Sequence, residues 1–373
     1  MESSKLGWCE INLGNLRHNL RELKRIIPVD TKIVPVVKAD AYGHGAVEVT
    51  QVLLEEGVES FGVFSVEEGI RLREAGISVP ILILGPSLHE EVDSVADHDL
   101  TPGIFTMEMA QLLSKTAMAK EKKIKVHIKV NTGMWRIGVW VDEAVQFVKE
   151  VLELKNLEVE GIFSHLATAY SLDKSYAYEQ FRLFCKVIEE LNQDGIYIPL
   201  RHIASSAAIL DLPEMNLDMV RPGISLYGLY PSKMVKRRVE LWPVMEFKTR
   251  VVYLERVPKG SSVSYGRSFI ASKDIIVAVL PVGYAHGYMR TLSNKSEVLI
   301  VGRRAKIIGT ICMDYSLVDV TDIEEVKIND EVVLFGRQLN ERIEVDELAD
   351  LCGTISYEIV CSVGNRVPRV YIE

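Results

Sequence analysis

Lys38 stands in Val36-Val37-Lys38-Ala39-Asp40-Ala41-Tyr42-Gly43-His44-Gly45, directly after the apolar run Ile33-Val34-Pro35-Val36-Val37. A lysine at the C-terminal mouth of a buried strand is poorly solvated as a cation. Burial lowers its pKa and frees the amine to condense with an aldehyde. The tyrosine and two glycines that follow suit a loop that approaches a ligand closely and donates to its oxyanions. Further polar clusters recur along the chain in the same relation to apolar runs: residues 131–136, Ser164-His165, Ser205-Ser206 and Arg221-Pro222-Gly223-Ile224.

The elements that must position these groups alternate through about residue 222. Strand-like apolar runs occupy 32–37, 60–64, 80–84, 100–104, 125–130, 159–163, 199–203 and 219–221. Apolar spacing near 3.6 predicts helices over 13–27, 66–75, 107–119, 142–154 and 174–193. Eight strands with intervening helices fit a closed (β/α)8 TIM barrel, whose active sites lie on loops after the strands. An open doubly wound sheet is the alternative, but no GxGxxG follows the first strand. After about residue 230 short strands at 247–257, 275–282, 297–300, 303–310, 316–319 and 331–335, with Gly-containing turns and an end near 369–372, predict a mainly β C-terminal domain. One helix is expected at 345–352, and 8–12 has strand character that returns it to this region. The expected division is thus 11–240 for the barrel and 241–373, with 1–10, for the β-rich domain.

Composition agrees with an α/β protein of two domains: 373 residues, 48% hydrophobic and 25% charged. The net charge of −9 argues against a general nucleic-acid binder. Five scattered cysteines without CxxC spacing indicate neither a disulfide framework nor a metal site. Met1-Glu2-Ser3-Ser4-Lys5 lacks an apolar core for a signal peptide, and no run is long enough to span a bilayer, so a cytoplasmic location is expected.

On a barrel, Ser205-Ser206 and Gly223-Ile224 follow strands seven and eight, where backbone N–H groups and hydroxyls hold a phosphate without a lysine. With an imine-forming lysine and an arginine at the last strand, this pattern suggests pyridoxal 5′-phosphate. The chain resembles the alanine racemases over nearly its whole length. The resemblance rests on Val37-Lys38-Ala39-Asp40-Ala41-Tyr42-Gly43-His44-Gly45, Lys129-Val130-Asn131-Thr132-Gly133-Met134 and Val220-Arg221-Pro222-Gly223-Ile224-Ser225-Leu226-Tyr227-Gly228. It continues in Val263-Ser264-Tyr265-Gly266-Arg267, Ile311-Cys312-Met313-Asp314 and Ser356-Tyr357-Glu358-Ile359.

The resemblance implies interconversion of L- and D-alanine by two bases, Lys38 and Tyr265, on opposite faces of the substrate Cα, supplying D-alanine for peptidoglycan. Lys38 would also hold the cofactor as an imine. A phenol needs help to act as a base near neutrality, because its reference pKa is about 10; His165 and Arg221 match the residues that supply it. Arg221 would face the pyridine nitrogen. Tyr42, Ser206, Gly223, Ile224 and Tyr357 match phosphate positions, and Arg136 and the Met313 N–H match the substrate-carboxylate positions. Lys129 matches a lysine that is carbamylated in some members. The family pattern further implies a homodimer whose active sites are shared between subunits, with Tyr265 and Met313 reaching across.

Asn131, Trp135, Tyr170, Ser205 and Tyr315 depart from the usual pattern close to the expected site, which opens a broader alanine/serine racemase as the alternative. Tyr357 argues for a small pocket. A cofactor carrier on the same barrel would lack the β domain and Tyr265, and a related decarboxylase would use a catalytic cysteine and larger basic substrates. His202 reads as a packed rim residue, His44 as a helix-start or structural one, His286 and His89 as solvated ones, and Cys312 as a small core residue. The basic stretch 233–238 reads as a solvated linker, and Asp314 is as well suited to a structural role as to a site role.

Overall fold

Eight short apolar runs form the staves of one closed barrel in the computed structural model, which describes residues 5–373. In chain order they are Lys32–Ile33, Phe61–Val63, Ile81–Ile83, Thr101–Ile104, Ile124–Asn131, Leu157–Phe163, Leu200–His202 and Met219–Val220. Strands two to seven pair in parallel in chain order. The eighth pairs with the first through Met219↔Lys32 and Val220↔Ile33. Single bridges at Val36↔Gly62 and Ser205↔Arg221 complete the ring. The closed (β/α)8 expectation is met. The first strand is shorter than expected because Pro35 has no N–H to give the ladder; pairing resumes when Val36 donates to the Pro222 carbonyl at 2.8 Å. Val139–Trp140, an added two-residue strand beside the fifth, was not legible in the sequence.

The helices between strands start where the sequence supplies caps. Val66–Glu74 opens with a capping box between Ser65 and Glu68, and Met107–Ala119 opens at Thr106, whose hydroxyl accepts from the Met109 N–H. Ser175–Gln193 buries Ala177, Gln180, Phe184, Val187, Ile188 and Leu191, one stripe at helical spacing. Each buried large apolar side chain there stabilises the fold by about 1.5–3 kcal/mol relative to exposure. Ala46–Glu55 is a helix of which the sequence reading offered only a start near His44.

The chain divides into two compact units. The barrel unit comprises Leu16–Ala41 and Gly45–Trp242; the other comprises the N-terminal segment up to Asn15, Tyr42–His44 and Pro243–Glu373. Residues 1–4, part of the stretch 1–10 expected with the β-rich domain, lie outside the described residues. The second unit is built on a ten-stranded sheet. Gly7–Asn12 does return to it, antiparallel to Met245–Arg250 and parallel to Arg369–Ile372. The single strand expected over 247–257 is two: Met245–Arg250 pairs with Gly7–Asn12 and Glu331–Gln338, whereas Tyr253–Val257 pairs with Ile275–Leu280. The chain changes neighbours at Val251-Val252, which breaks the ladder. Val345–Cys352 is helical as expected, and a further helix, Ser356–Cys361, follows it. Among the described residues no helix is long and apolar enough to cross a membrane.

Candidate active site

The segment after the first barrel strand is a short left-handed helix, where a loop was expected. Ala39, Asp40, Ala41 and Tyr42 have φ of 52, 52, 55 and 55°, and Gly43 continues at 83°. Such a turn costs L-residues roughly 1–2 kcal/mol each, so its surroundings must hold it. The Ala41 N–H donates to the Val37 carbonyl at 2.8 Å, and the Asp40 carboxylate accepts from the Ala46 N–H at 2.9 Å. Glu68 accepts from the Ala39 N–H and, through its other oxygen, from the Phe64 N–H, both at 2.7 Å. Lys38, half-buried, opens this strained turn at the end of a strand whose Val34, Val36 and Val37 are buried. Strain of this kind gathers at functional sites.

The neighbouring eighth strand ends in Arg221, which is 3% exposed. Its Nη2 donates to the Ser164 carbonyl at 2.8 Å and the Ile203 carbonyl at 3.2 Å, and lies 3.5 Å from His165 Nδ1. Its Nη1 donates to His202 Nδ1. Burial lowers its pKa to about 9, which leaves the guanidinium charged at neutral pH. Immediately beyond, Ser206 Oγ accepts from the Gly223 N–H at 2.9 Å, the Ser225 N–H at 3.3 Å and the Ser225 hydroxyl at 2.9 Å. With its acceptor capacity filled, the Ser206 hydroxyl has a proton left to give outward.

Positive charge accumulates at this rim. Lys129 is 6% exposed and sits 4.2 Å over the Phe163 ring. Its pKa is pushed well below the ordinary lysine value by desolvation, then by Arg221, Arg136 and Lys38. His165 is also held well below its ordinary value, by desolvation and then by Lys129, Arg221, Arg136 and Lys38. A rim of four basic side chains, Lys38, Lys129, Arg136 and Arg221, on a chain of net charge −9 is suited to receive anions.

The loop after the fifth strand is organised by Asn131, whose Oδ1 accepts from the Gly133 and Trp135 N–H groups, each at 3.1 Å. Trp135 stacks on Trp140 with centroids 4.5 Å apart, and Arg136 next to it is exposed. Gln180, fully buried, ties this loop to the next: its amide donates to Thr132 Oγ1 at 3.3 Å and the His165 carbonyl at 3.2 Å, while its oxygen accepts from the Ala167 N–H at 2.8 Å. Sequence reasoning missed Gln180 and Glu68. A buried glutamine in an apolar helical stripe was the available signal for the first, and the capping-box spacing for the second.

Within the other unit, Tyr265 lies in the turn of a hairpin formed by Ser262–Val263 and Phe269–Ile270 and is 71% exposed. Thr310 pins that turn, its hydroxyl donating to the Tyr265 carbonyl at 2.9 Å while its carbonyl accepts from Ser264 Oγ at 2.5 Å. Met313, 52% exposed, is held through its carbonyl, which accepts from the Ala285 N–H at 3.1 Å, and the Cys312 carbonyl accepts from the Tyr284 N–H at 3.0 Å. Gly283 makes this approach possible, because a Cβ there would lie 2.1 Å from the Cys312 carbonyl oxygen. Tyr42 and Tyr357 face each other with ring centroids 6.1 Å apart, and burial raises the Tyr357 pKa. Asp314 pairs with Arg366 at 2.9 Å, which accounts for it structurally. His44 is buried with Nδ1 3.0 Å from the Tyr42 carbonyl. His286, expected to be solvated, is instead part-buried and accepts from the Gly283 N–H at 3.3 Å.

Models of the alanine racemase N-terminal and C-terminal domains match residues 11–231 and 244–371. The chain belongs to the alanine racemase family. It is 47% identical to the alanine racemase of Halothermothrix orenii over 364 residues, 98% of this chain and 96% of that one. An alanine racemase structure from Clostridium difficile 630 superposes with a TM-score of 0.96 at 39% identity, covering 100% of this chain and 97% of that one. The Bartonella henselae alanine racemase, solved with covalently bound pyridoxal phosphate, superposes at 0.89 with 28% identity, covering 99% and 100%. Alanine racemases are pyridoxal-phosphate-dependent isomerases, and the donors here fit that cofactor. The barrel offers an amine at strand one, a hydroxyl-and-amide cradle after strands seven and eight, and a buried guanidinium at the end of strand eight.

Proposed function

We propose that this protein interconverts L- and D-alanine with pyridoxal 5′-phosphate held on the 11–240 barrel. The basic rim of Lys38, Lys129, Arg136 and Arg221 carries the reading, because such side chains suit the phosphate of a cofactor and the carboxylate of an amino acid together. Pyridoxal phosphate, when bound, withdraws electrons from the Cα of an amino acid joined to its aldehyde and so acidifies the Cα–H.

The residues divide the remaining work. Ser206, the Gly223 and Ile224 amides, Tyr42 and Tyr357 hold the phosphate. Arg221, orientated by the Ser164 and Ile203 carbonyls, faces the ring nitrogen as a donor that does not yield its proton. Arg136 and the Met313 N–H take the carboxylate. Lys38 Nζ moves the Cα proton on one face and Tyr265 of the partner subunit moves it on the other. The exposure of Tyr265 and Met313 supports a homodimer in which each subunit lends these residues to the other. His165, accepting from Arg221 at Nδ1, has Nε2–H to present to that phenol. Lys129, whose pKa its surroundings push well below the ordinary lysine value, is suited to carry a carbamate that places a negative charge beside Arg136.

The purified protein should show a borohydride-sensitive cofactor band and form D-alanine from L-alanine. Lys38→Ala should lose the band and at least about 10³ in kcat, in keeping with loss of an acid–base group. A band without turnover of alanine, tested alongside serine, would move the substrate assignment. The absence of any band after adding cofactor would overturn it. Equal specific activity for a separated monomer would overturn the shared site.

A further inference from the structure

His127 and Glu160 lie on strands five and six, inside the barrel and toward its N-terminal mouth, with no place in the reading above. His127 is 2% exposed, and its Nδ1 is 2.8 Å from His202 Nε2. His202, fully buried, receives the Arg221 guanidinium on Nδ1. On its other side His127 Nε2 lies 3.7 Å from a Glu160 oxygen, while the second Glu160 oxygen accepts from Lys125 Nζ at 2.7 Å.

The direction of every proton in this row is fixed by one end. A guanidinium only donates, so His202 Nδ1 accepts and its proton sits on Nε2. His127 Nδ1 must then accept from His202, which places the His127 proton on Nε2, toward the Glu160 carboxylate. Two neutral imidazoles, polarised the same way, join a buried cation to an acid at the other end of the barrel. Burial disfavours the charged form of both rings, in agreement with their neutrality.

The backbone is shaped around this row. The register between strands five and six slips between Val126 and His127: Val126 opposes Val159, but His127 opposes Gly161. Glu160 is the residue left over, and a bulge of this kind re-aims a side chain. Its successor has no room for one, since a Cβ on Gly161 would lie 2.3 Å from His127 Nδ1. Phe163 then stacks on His202, with centroids 4.9 Å apart and an interplanar angle of 1°, fixing the ring's rotation.

We infer that Glu160 and His127 are positioning residues for Arg221, holding its guanidinium in place and setting how strongly it donates at the active-site rim. Removing the carboxylate makes His202 Nδ1 a poorer acceptor, so Arg221 turns more of its donor strength outward. The consequence for catalysis rests on the placement of Arg221 against the cofactor ring nitrogen.

Two measurements on the holoenzyme test it. Long-range ¹⁵N–¹H spectra of histidine-labelled protein should show His127 and His202 neutral with the proton on Nε2; an Nδ1–H tautomer or a cation at either would overturn the relay. Glu160→Gln keeps the shape and removes the charge. It should shift the cofactor absorption maximum and lower kcat about tenfold with KM for alanine little changed, on the scale seen when a carboxylate behind a functional histidine is lost. Lys125→Met removes only the outer partner and should move neither. An unshifted band in Glu160→Gln, or an equal shift in Lys125→Met, would overturn the inference. A wild-type protein that binds no cofactor would instead overturn the functional reading, while the tautomer measurement would still decide the relay.

Discussion

The two mouths of the barrel are made by the same eight strands yet are built on opposite rules. At the C-terminal mouth lie a left-handed turn, a half-buried lysine and a cluster of basic side chains. At the N-terminal mouth charges are paired: Lys122 with Asp99 at 2.9 Å, Lys125 with Glu160 at 2.7 Å, and Arg201 with Asp218 in a two-point contact. Open space is found at both mouths: a cavity of about 670 Å³ at the N-terminal mouth, lined by Lys32, Ser60, Thr101, Lys125 and Glu160 among others, and one of about 680 Å³ beside the loop after the fifth strand, lined by Asn131, Trp135 and Arg136 among others. Volume therefore does not tell the two ends apart, whereas backbone strain and the gathering of basic side chains do. The paired end gives stability, as expected for this face of the fold; the other gathers basic side chains suited to an anionic ligand. The row from Glu160 to Arg221 is where the two meet.

The largest effect that would sharpen the contrast comes from acid. His127 and His202 are held neutral in the fold, with pKa values below 6.5 through burial. Above pH 6.5 neither state binds these protons, so their contribution is constant. As pH falls below 6.5 the unfolded chain takes protons that the fold refuses, and stability drops by up to about 1.4 kcal/mol per pH unit for each ring. Glu160, lowered to about 2 chiefly by His127, adds a further loss below 4.5. Urea unfolding of the cofactor-free protein at pH 7.5 and 5.5 should show this decline. A flat profile would mean that the barrel interior accepts charge, and the two ends would no longer be distinct.

A smaller effect tests the strained turn. Glu68→Ala frees the Ala39 and Phe64 N–H groups and breaks the capping box of Val66–Glu74. Stability should fall by about 1–2 kcal/mol. If the turn holds Lys38 in place, cofactor affinity should fall as well, measured by titrating the visible band. Lost stability with unchanged affinity would make Glu68 a helix cap alone.

What the sequence made legible follows from which interactions are local. The barrel strands could be read because they are buried on both faces and stand as uninterrupted apolar runs, and Met107–Ala119 because it carries its own cap and stripe. The left-handed turn was hidden, since Lys-Ala-Asp-Ala-Tyr carries no glycine before Gly43 and its stabilising partner Glu68 lies 29 residues on. The bulge at Glu160 was equally hidden, because slipping a register changes no residue type in Leu157–Phe163. His202 could be recognised as packed, but its neighbours could not, because they come from strands five and eight. Ser356–Cys361, which carries Tyr357, spans too few residues to show a helical period. The family motifs nevertheless marked the rim residues that the fold places at strand ends.

The smallest effect belongs to the satisfied mouth. Lys122 precedes strand five and pairs with Asp99, just before strand four, while also donating to the Ala96 carbonyl at 2.8 Å. Its side chain is 38% exposed and that of Asp99 78%, so water screens the pair and competes for both ends. Lys122→Met keeps most of the aliphatic stem and should cost less than about 1 kcal/mol. Neither kcat nor KM should change, and the cofactor band should stay where it is. Lys122 stands at the same mouth as Lys125 but touches neither Glu160 nor His127, so it separates two ways in which this mouth could influence the rim. An altered band in Lys122→Met would show that any charge near the N-terminal mouth reaches Arg221 through the general field. An unaltered band, beside a shifted one in Glu160→Gln, would confine that influence to the row of two imidazoles.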